Sequence, residues 1–216
     1  MQAKAILDKA EVLLLDPTNV RWPRNQLLDY LNDGQREVVI YRPDASMEDR
    51  VVALVDASTR QTLPANGLRL LDVVRNMGTD GATPGAPITV IDRKILDTQI
   101  PDWHGAEPES SIKHYTFDPL NPTTYYVYPR PAANVHVEIS YSIPPAECAT
   151  EGDNIAIPEI YANALLDYVM FRAFSKDSEY SDPGKAAKYY QMFGNALGVK
   201  IKIDTATAPN PEQQNV

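Results

Sequence analysis

Carboxylates are the side chains of this chain whose spacing comes nearest to chemistry. Glu48-Asp49, Glu107 with Glu109, and Asp177 with Glu179 are paired acids, and a glycosidase or lysozyme-like hydrolase needs two carboxyl groups several ångströms apart. Each pair falls beside loop residues or helix ends, where a solvated acidic surface is the simpler reading and helix-end charges are ordinary. The histidines, His104, His114 and His136, lie in or beside strand-like sequence without HExxH or comparable spacing. Trp103-His104 with Glu107 suggests a metal or acid/base pairing, but the flanking proline and glycine make a loop, whose histidine more simply packs or is solvated. The single Cys148 has no second cysteine for a disulfide or a zinc site, and no histidine near it in sequence would activate a thiolate. A GxSxG elbow, a phosphate-binding glycine loop and GxGxxG are all missing, and Ser58-Thr59-Arg60 and Ser110-Ser111 lack an adjacent base. Tyr125-Tyr126-Val127-Tyr128-Pro129-Arg130-Pro131 could stack on bases or sugars, yet its alternation and following proline fit cross-strand aromatic pairs at least as well. No catalytic, cofactor or metal site is predicted, and the layout is that of a protein that assembles.

Composition bounds the class. A chain of 216 residues is long enough for one large domain or two small ones and, as a single compact fold, would bury about 70% of its unfolded surface. Hydrophobic content of 44% and charged content of 23% are ordinary for a globular protein and favour neither disorder nor a membrane class. The longest apolar run, Val12-Leu13-Leu14-Leu15, is too short to span a bilayer, and charges interrupt the apolar residues of 1–9, which breaks the secretory-signal pattern. An intracellular product is expected. The formal charge of −9 argues against a surface that grips nucleic acid. It suits ordinary solubility, and equally a passage through which DNA slides without sticking.

The periodicity places the elements. Ile6, Leu7, Ala10, Leu13 and Leu14 recur at helical spacing over 3–15, and Asp16-Pro17-Thr18-Asn19 stops that helix. Pro23 suits the first turn of a second helix, whose stripe is Leu27, Leu28, Leu31, Gln35 and Val38 and which Arg42-Pro43 ends. From about residue 50 the pattern becomes short Val, Ile, Thr and Tyr runs between turn residues, predicting an antiparallel sheet with strands at 50–55, 60–63, 70–77, 88–92, 112–117, 125–128 and 135–143. One or two helical turns fit 93–99. Helix returns at Pro158 with Tyr161, Ala164, Leu165, Tyr168 and Arg172 on one face. Asp182-Pro183 opens a last helix to about 197, with Ala186, Ala187, Tyr190, Phe193 and Leu197 on its apolar side. Val199-Lys200-Ile201-Lys202-Ile203 alternates like a strand, and the Pro-, Asn- and Gln-rich remainder has the composition of a tail that could add to a partner's sheet. The expected fold is α+β: a helical bundle from N- and C-terminal hairpins (1–45 and 146–198), an inserted antiparallel β-rich domain (46–145) and an extended tail (199–216).

Several segments together resemble the tailed-phage head-to-tail adaptor family, of the kind found in podovirus-like virions. They are Arg21-Trp22 with Leu31-Asn32-Asp33-Gly34-Gln35-Arg36-Glu37, Tyr41-Arg42-Pro43-Asp44, Thr59-Arg60-Gln61-Thr62-Leu63-Pro64, Leu71-Asp72-Val73-Val74-Arg75-Asn76, Asp92-Arg93 and Trp103-His104. His114-Tyr115, Tyr126-Val127-Tyr128-Pro129 and 168–177 extend the likeness over most of the chain. The resemblance implies a bundle with a β-rich insertion, assembled as a homo-oligomeric ring, commonly of twelve copies, beneath the portal protein. Such a ring joins portal to tail (nozzle) protein and lines the route of genomic DNA, without enzymatic activity, cofactor or membrane. It would be made in the host cytoplasm and reside at the virion's head-tail junction.

Within that frame the portal-docking candidate is the tail, with Val199, Lys200, Ile201, Lys202, Ile203, Pro209 and Val216. Arg21, Trp22, Arg36, Arg60 and Arg75 are candidates for the subunit interface, since Trp and Arg are enriched at interface hot spots. Trp22 has a competing role as a staple at the start of the second helix, and the arginines could simply be solvated. The rival functions are a virion-associated peptidoglycan hydrolase using Glu107 and Glu109, and a carbohydrate-binding tail component using the tyrosine-rich strands.

Overall fold

The computed structural model describes residues 1–176 and 181–207, with 199–207 described by their backbone alone. The chain divides into two compact units, one formed by Met1–Ala45 with Pro145–Val216, the other by Ser46–Pro144.

The first unit is helical. Helix α1 (Ala3–Leu14) buries Ala3, Ile6, Leu7, Ala10 and Leu14, the stripe that a 3.6-residue period demands. Leu13, expected among them, is 49% exposed. The helix ends at Leu15, held at φ 55°, a left-handed conformation that non-glycine residues adopt at a cost. The carboxylate of buried Asp16 receives the backbone N–H groups of Val20, Arg21 and Trp22, so the turn into the next helix has an internal anchor. Helix α2 (Arg24–Tyr41) follows Pro23 and buries Leu27, Leu28, Leu31, Asn32, Gly34, Gln35, Val38 and Val39. Gly34 is required by close approach: a Cβ there would sit 3.0 Å from a ring carbon of Tyr168 and 3.2 Å from Leu165.

The chain returns to this unit at 145. Asn32 closes two hydrogen bonds with the backbone of Cys148, accepting from its N–H at 2.9 Å and donating to its carbonyl at 3.0 Å. Gln35 accepts from the N–H of Ala156 at 2.7 Å. Two buried amides on one face of α2 therefore replace the backbone partners that an irregular segment lacks. Arg24 closes the same unit from the surface, reaching Glu151 at 2.6 Å, Asp8 at 2.7 Å and Glu11 at 3.1 Å. Helix α4 (Ala162–Phe174) follows a 3-10 turn at Glu159–Tyr161, and α5 spans Pro183–Thr207. Ala186, Phe193 and Leu197 are buried on α5. Ala187 and Tyr190, expected on that face, are exposed, and half-buried Tyr189 takes the place, its ring stacked on Phe174. The backbone of 199–203 is helical, which corrects the expected strand. Helix propagation gains one hydrogen bond per residue once begun, and no proline interrupts 184–207.

The second unit carries two sheets. One has the order β1 (Met47–Ala53), β7 (His136–Ser142), β3 (Arg69–Asn76), all antiparallel; the other has β2 (Arg60–Thr62), β6 (Thr124–Tyr128), β5 (His114–Phe117), β4 (Thr89–Val90). The pair β4–β5 is parallel, a departure from the purely antiparallel pattern expected. Leu54, Leu63, Leu70, Val73, Ile112, Tyr115, Tyr125, Val127, Val137, Ile139 and Tyr141 form this unit's core, which is why the strands alternate. Asn76 repeats the amide device of α2, bonding Ala86 and Ile112 backbone groups at 2.8–2.9 Å. A short helix α3 (Arg93–Gln99), capped by the Asp92 side chain on the N–H of Lys94, leads to buried Trp103, whose ring meets Tyr126 and Tyr128 edge-on.

Candidate interaction surfaces

Most of the described residues closest to chemistry have a structural occupation, while Glu107 is exposed and has no ion pair or side-chain hydrogen bond among the described residues. Glu48 and Asp49 are successive residues of β1, so their side chains leave opposite faces of the sheet, and Asp49 accepts from the Ser140 hydroxyl. Glu109 pairs with Lys113 at 3.1 Å. His104 Nδ1 lies 2.6 Å from the Thr59 hydroxyl and its ring stacks on Trp103 with centroids 3.7 Å apart. Burial, aided by the charge of Arg93, pushes this histidine below its usual range. His114 lies 2.7 Å from the Thr89 hydroxyl and His136 Nδ1 3.1 Å from the carbonyl of Asn134. Cys148 is buried beside Gln35, and burial raises its thiol with the Asp153 charge acting in the same sense. Among the described residues no group of three His, Cys, Asp or Glu side chains could hold a metal. Asp177 and Glu179 lie outside the described residues. Tyr125 faces the core while Tyr126 alternates outward beneath the Arg93 guanidinium, 5.2 Å from its ring, an arrangement that matches strand alternation.

The interface candidates occupy different environments. Trp22 is 4% exposed, donates its indole N–H to the carbonyl of Ala173 at 3.0 Å and meets Phe174 edge-on. That burial gives it the staple role. Arg21 is exposed beside it. Arg36 is tied to Asp33 at 2.8 Å and to Glu147, and Arg75 to Glu138 at 2.6 Å. Arg60, on the short strand β2, is exposed and has no ion pair among the described residues. Of the docking candidates, Val199, Lys200, Ile201, Lys202 and Ile203 lie on the distal part of α5, while Pro209 and Val216 fall outside the described residues.

The sequence reading missed exposed apolar side chains. Val12, Leu15 and Val20 are 71%, 82% and 78% exposed at the corner between α1 and α2, on the turn that Asp16 braces. Ile40, Tyr41 and Tyr190 form another exposed set, with the two tyrosine hydroxyls 3.4 Å apart. The run 12–15 signalled the first set only by having more apolar residues than one helical stripe can bury.

A helical unit and a two-sheet β unit, with polar groups engaged in holding the fold and apolar side chains left outside, belong to a protein of contacts. The family model of the SU10 adaptor protein matches residues 1–214. The chain therefore belongs to this family of phage head-to-tail adaptors and is a structural virion protein of a bacteriophage. Comparison with curated proteins finds no match. Among the described residues no helix is long and apolar enough to cross a membrane.

Proposed function

We propose that this adaptor forms a closed ring of twelve copies at the head-to-tail junction, joins the portal protein to the tail (nozzle) protein, and lines the passage by which genomic DNA leaves. The observation that carries this reading is the family match over 1–214, which spans both compact units, so that neither is a foreign module. The formal charge of −9 supports passive passage, because an acidic wall repels phosphate. Contacts between neighbours in such a ring are heterologous and close by rotation. Arg60 is our first choice for a neighbour's carboxylate, because it alone among Arg36, Arg60 and Arg75 lacks an intramolecular ion pair among the described residues. The β unit takes the neighbour and nozzle contacts, and the segment from Val199 through Ile203 to Pro209 and Val216 docks on the portal.

Portal binding by the full chain and by a chain lacking 199–216 tests the docking assignment. Pull-down of portal by the full chain and its loss on truncation are expected. Equal binding by both would overturn the assignment.

A further inference from the structure

The β unit contains a cavity of about 390 Å³ between α3 and the β5–β6 turn. Its base is the outward face of the four-stranded sheet, where Thr116 of β5 stands opposite Tyr126 of β6. Thr116 is only 5% exposed, yet its hydroxyl makes no hydrogen bond among the described residues. That hydroxyl stays within reach of solvent and lines a concavity large enough for a small ligand, where it is free to bond a guest.

The rim is held in place by the fold. Asp97 accepts from the Trp103 indole at 2.9 Å and lies 3.4 Å from Arg93, whose guanidinium covers Tyr126. Asp92 and Asp118 each use one oxygen, at 2.9 Å, on the backbone N–H of Lys94 and Leu120. Their second oxygens, and the ammonium of Lys94, have no partner among the described residues. The cavity therefore offers free acceptor oxygens on the positioned carboxylates of Asp92 and Asp118, a donor on Lys94 and an unpaired hydroxyl on Thr116.

That chemistry selects a class of ligand. Three carboxylates against two cations, one already engaged, disfavour a phosphate or other anion. The carboxylates do not converge as a metal site would require. An apolar guest would strip water from five charged groups without replacing it. A neutral molecule carrying many hydroxyls returns hydrogen bonds to Asp92, Asp118, Lys94 and Thr116, while its C–H edges pack on Phe117 and Pro119. We infer that this cavity binds one or two rings of a neutral saccharide. The inference is independent of ring assembly and portal docking.

Titration of the ¹⁵N-labelled full chain with maltotriose and with chitotriose tests it and separates plain glucose units from N-acetylated ones. Millimolar binding of either sugar, with amide shifts confined to 92–97, 114–119 and 126, is expected. Thr116→Val should weaken binding about fivefold by removing a hydroxyl, and Asp118→Asn about threefold by turning the free acceptor oxygen into a donor amide and removing the charge. Asp118→Asn keeps an acceptor for the Leu120 N–H at an exposed site, so it carries the test should Thr116→Val fail to fold. No shifts with either sugar, shifts elsewhere, or unchanged affinity in the folded variants would overturn the inference.

Discussion

Asn32 shows how a polar side chain can be structural without being catalytic. It is 7% exposed and satisfies both backbone groups of Cys148, 116 positions away. Asn32→Ala should destabilise the folded chain by about 2–3 kcal/mol, because two buried backbone groups lose their partner; urea unfolding followed by circular dichroism measures this. Gly34→Val should cost about 1–3 kcal/mol by the same assay, since its side chain must displace the Tyr168 ring. The segment Leu31 through Glu37 is conspicuous in the sequence, but its role was not legible: hydrogen-bond partners so distant along the chain leave no local pattern. Arg24 gives the pH dependence. Its hydrogen bonds hold the Glu151 carboxyl below the ordinary value of 4.5, and Asp8 is lowered by Lys4 and then Arg24. A carboxyl lowered on folding stabilises the fold above its unfolded pKa, and that contribution is lost as pH falls through the folded pKa. Urea midpoints should therefore fall below about pH 4.5. Arg24→Met should lower the midpoint at pH 7 by the equivalent of about 1 kcal/mol, modest because these groups are partly solvated. It should also flatten the decline between pH 5 and pH 3.

At the scale of elements, the helices and most strands were legible because burial on one face imposes a period. Leu27, Leu28, Leu31, Gln35 and Val38 are all buried as the stripe of α2 requires, and strands β1, β3, β6 and β7 fall within three residues of their expected bounds. Periodicity failed where it was short or over-supplied. The alternation of 199–203 covers one turn and a half of helix, too little for a period of two to outweigh continuation from α5. Leu13 was surplus to a stripe already filled by Ile6, Leu7, Ala10 and Leu14. The parallel pairing of β4 with β5 could not be read from two residues at all. A chain ending at Gly198 checks the α5 assignment by circular dichroism. Its mean helical signal should fall relative to a chain ending at Thr207, whereas an extended 199–207 would leave the total helical signal unchanged.

For the whole molecule, adaptor identity was legible through the order of many weak segments, from Arg21-Trp22 to 168–177, with no single motif deciding it. The exposed corner at Val12, Leu15 and Val20 and the cavity that Thr116 lines were not, because exposure depends on what the rest of the chain covers. Replacing surface Arg60 by Glu should change monomer stability by less than about 0.5 kcal/mol. In the proposed ring it should weaken self-association, read as a shift toward monomer in sedimentation velocity. The central claim is that the chain works by assembling onto a portal, and electron microscopy of the purified protein mixed with its portal tests it most directly. A closed ring of twelve copies stacked on the portal is predicted. A monomer that never joins the portal, at concentrations where both proteins are folded, would contradict it.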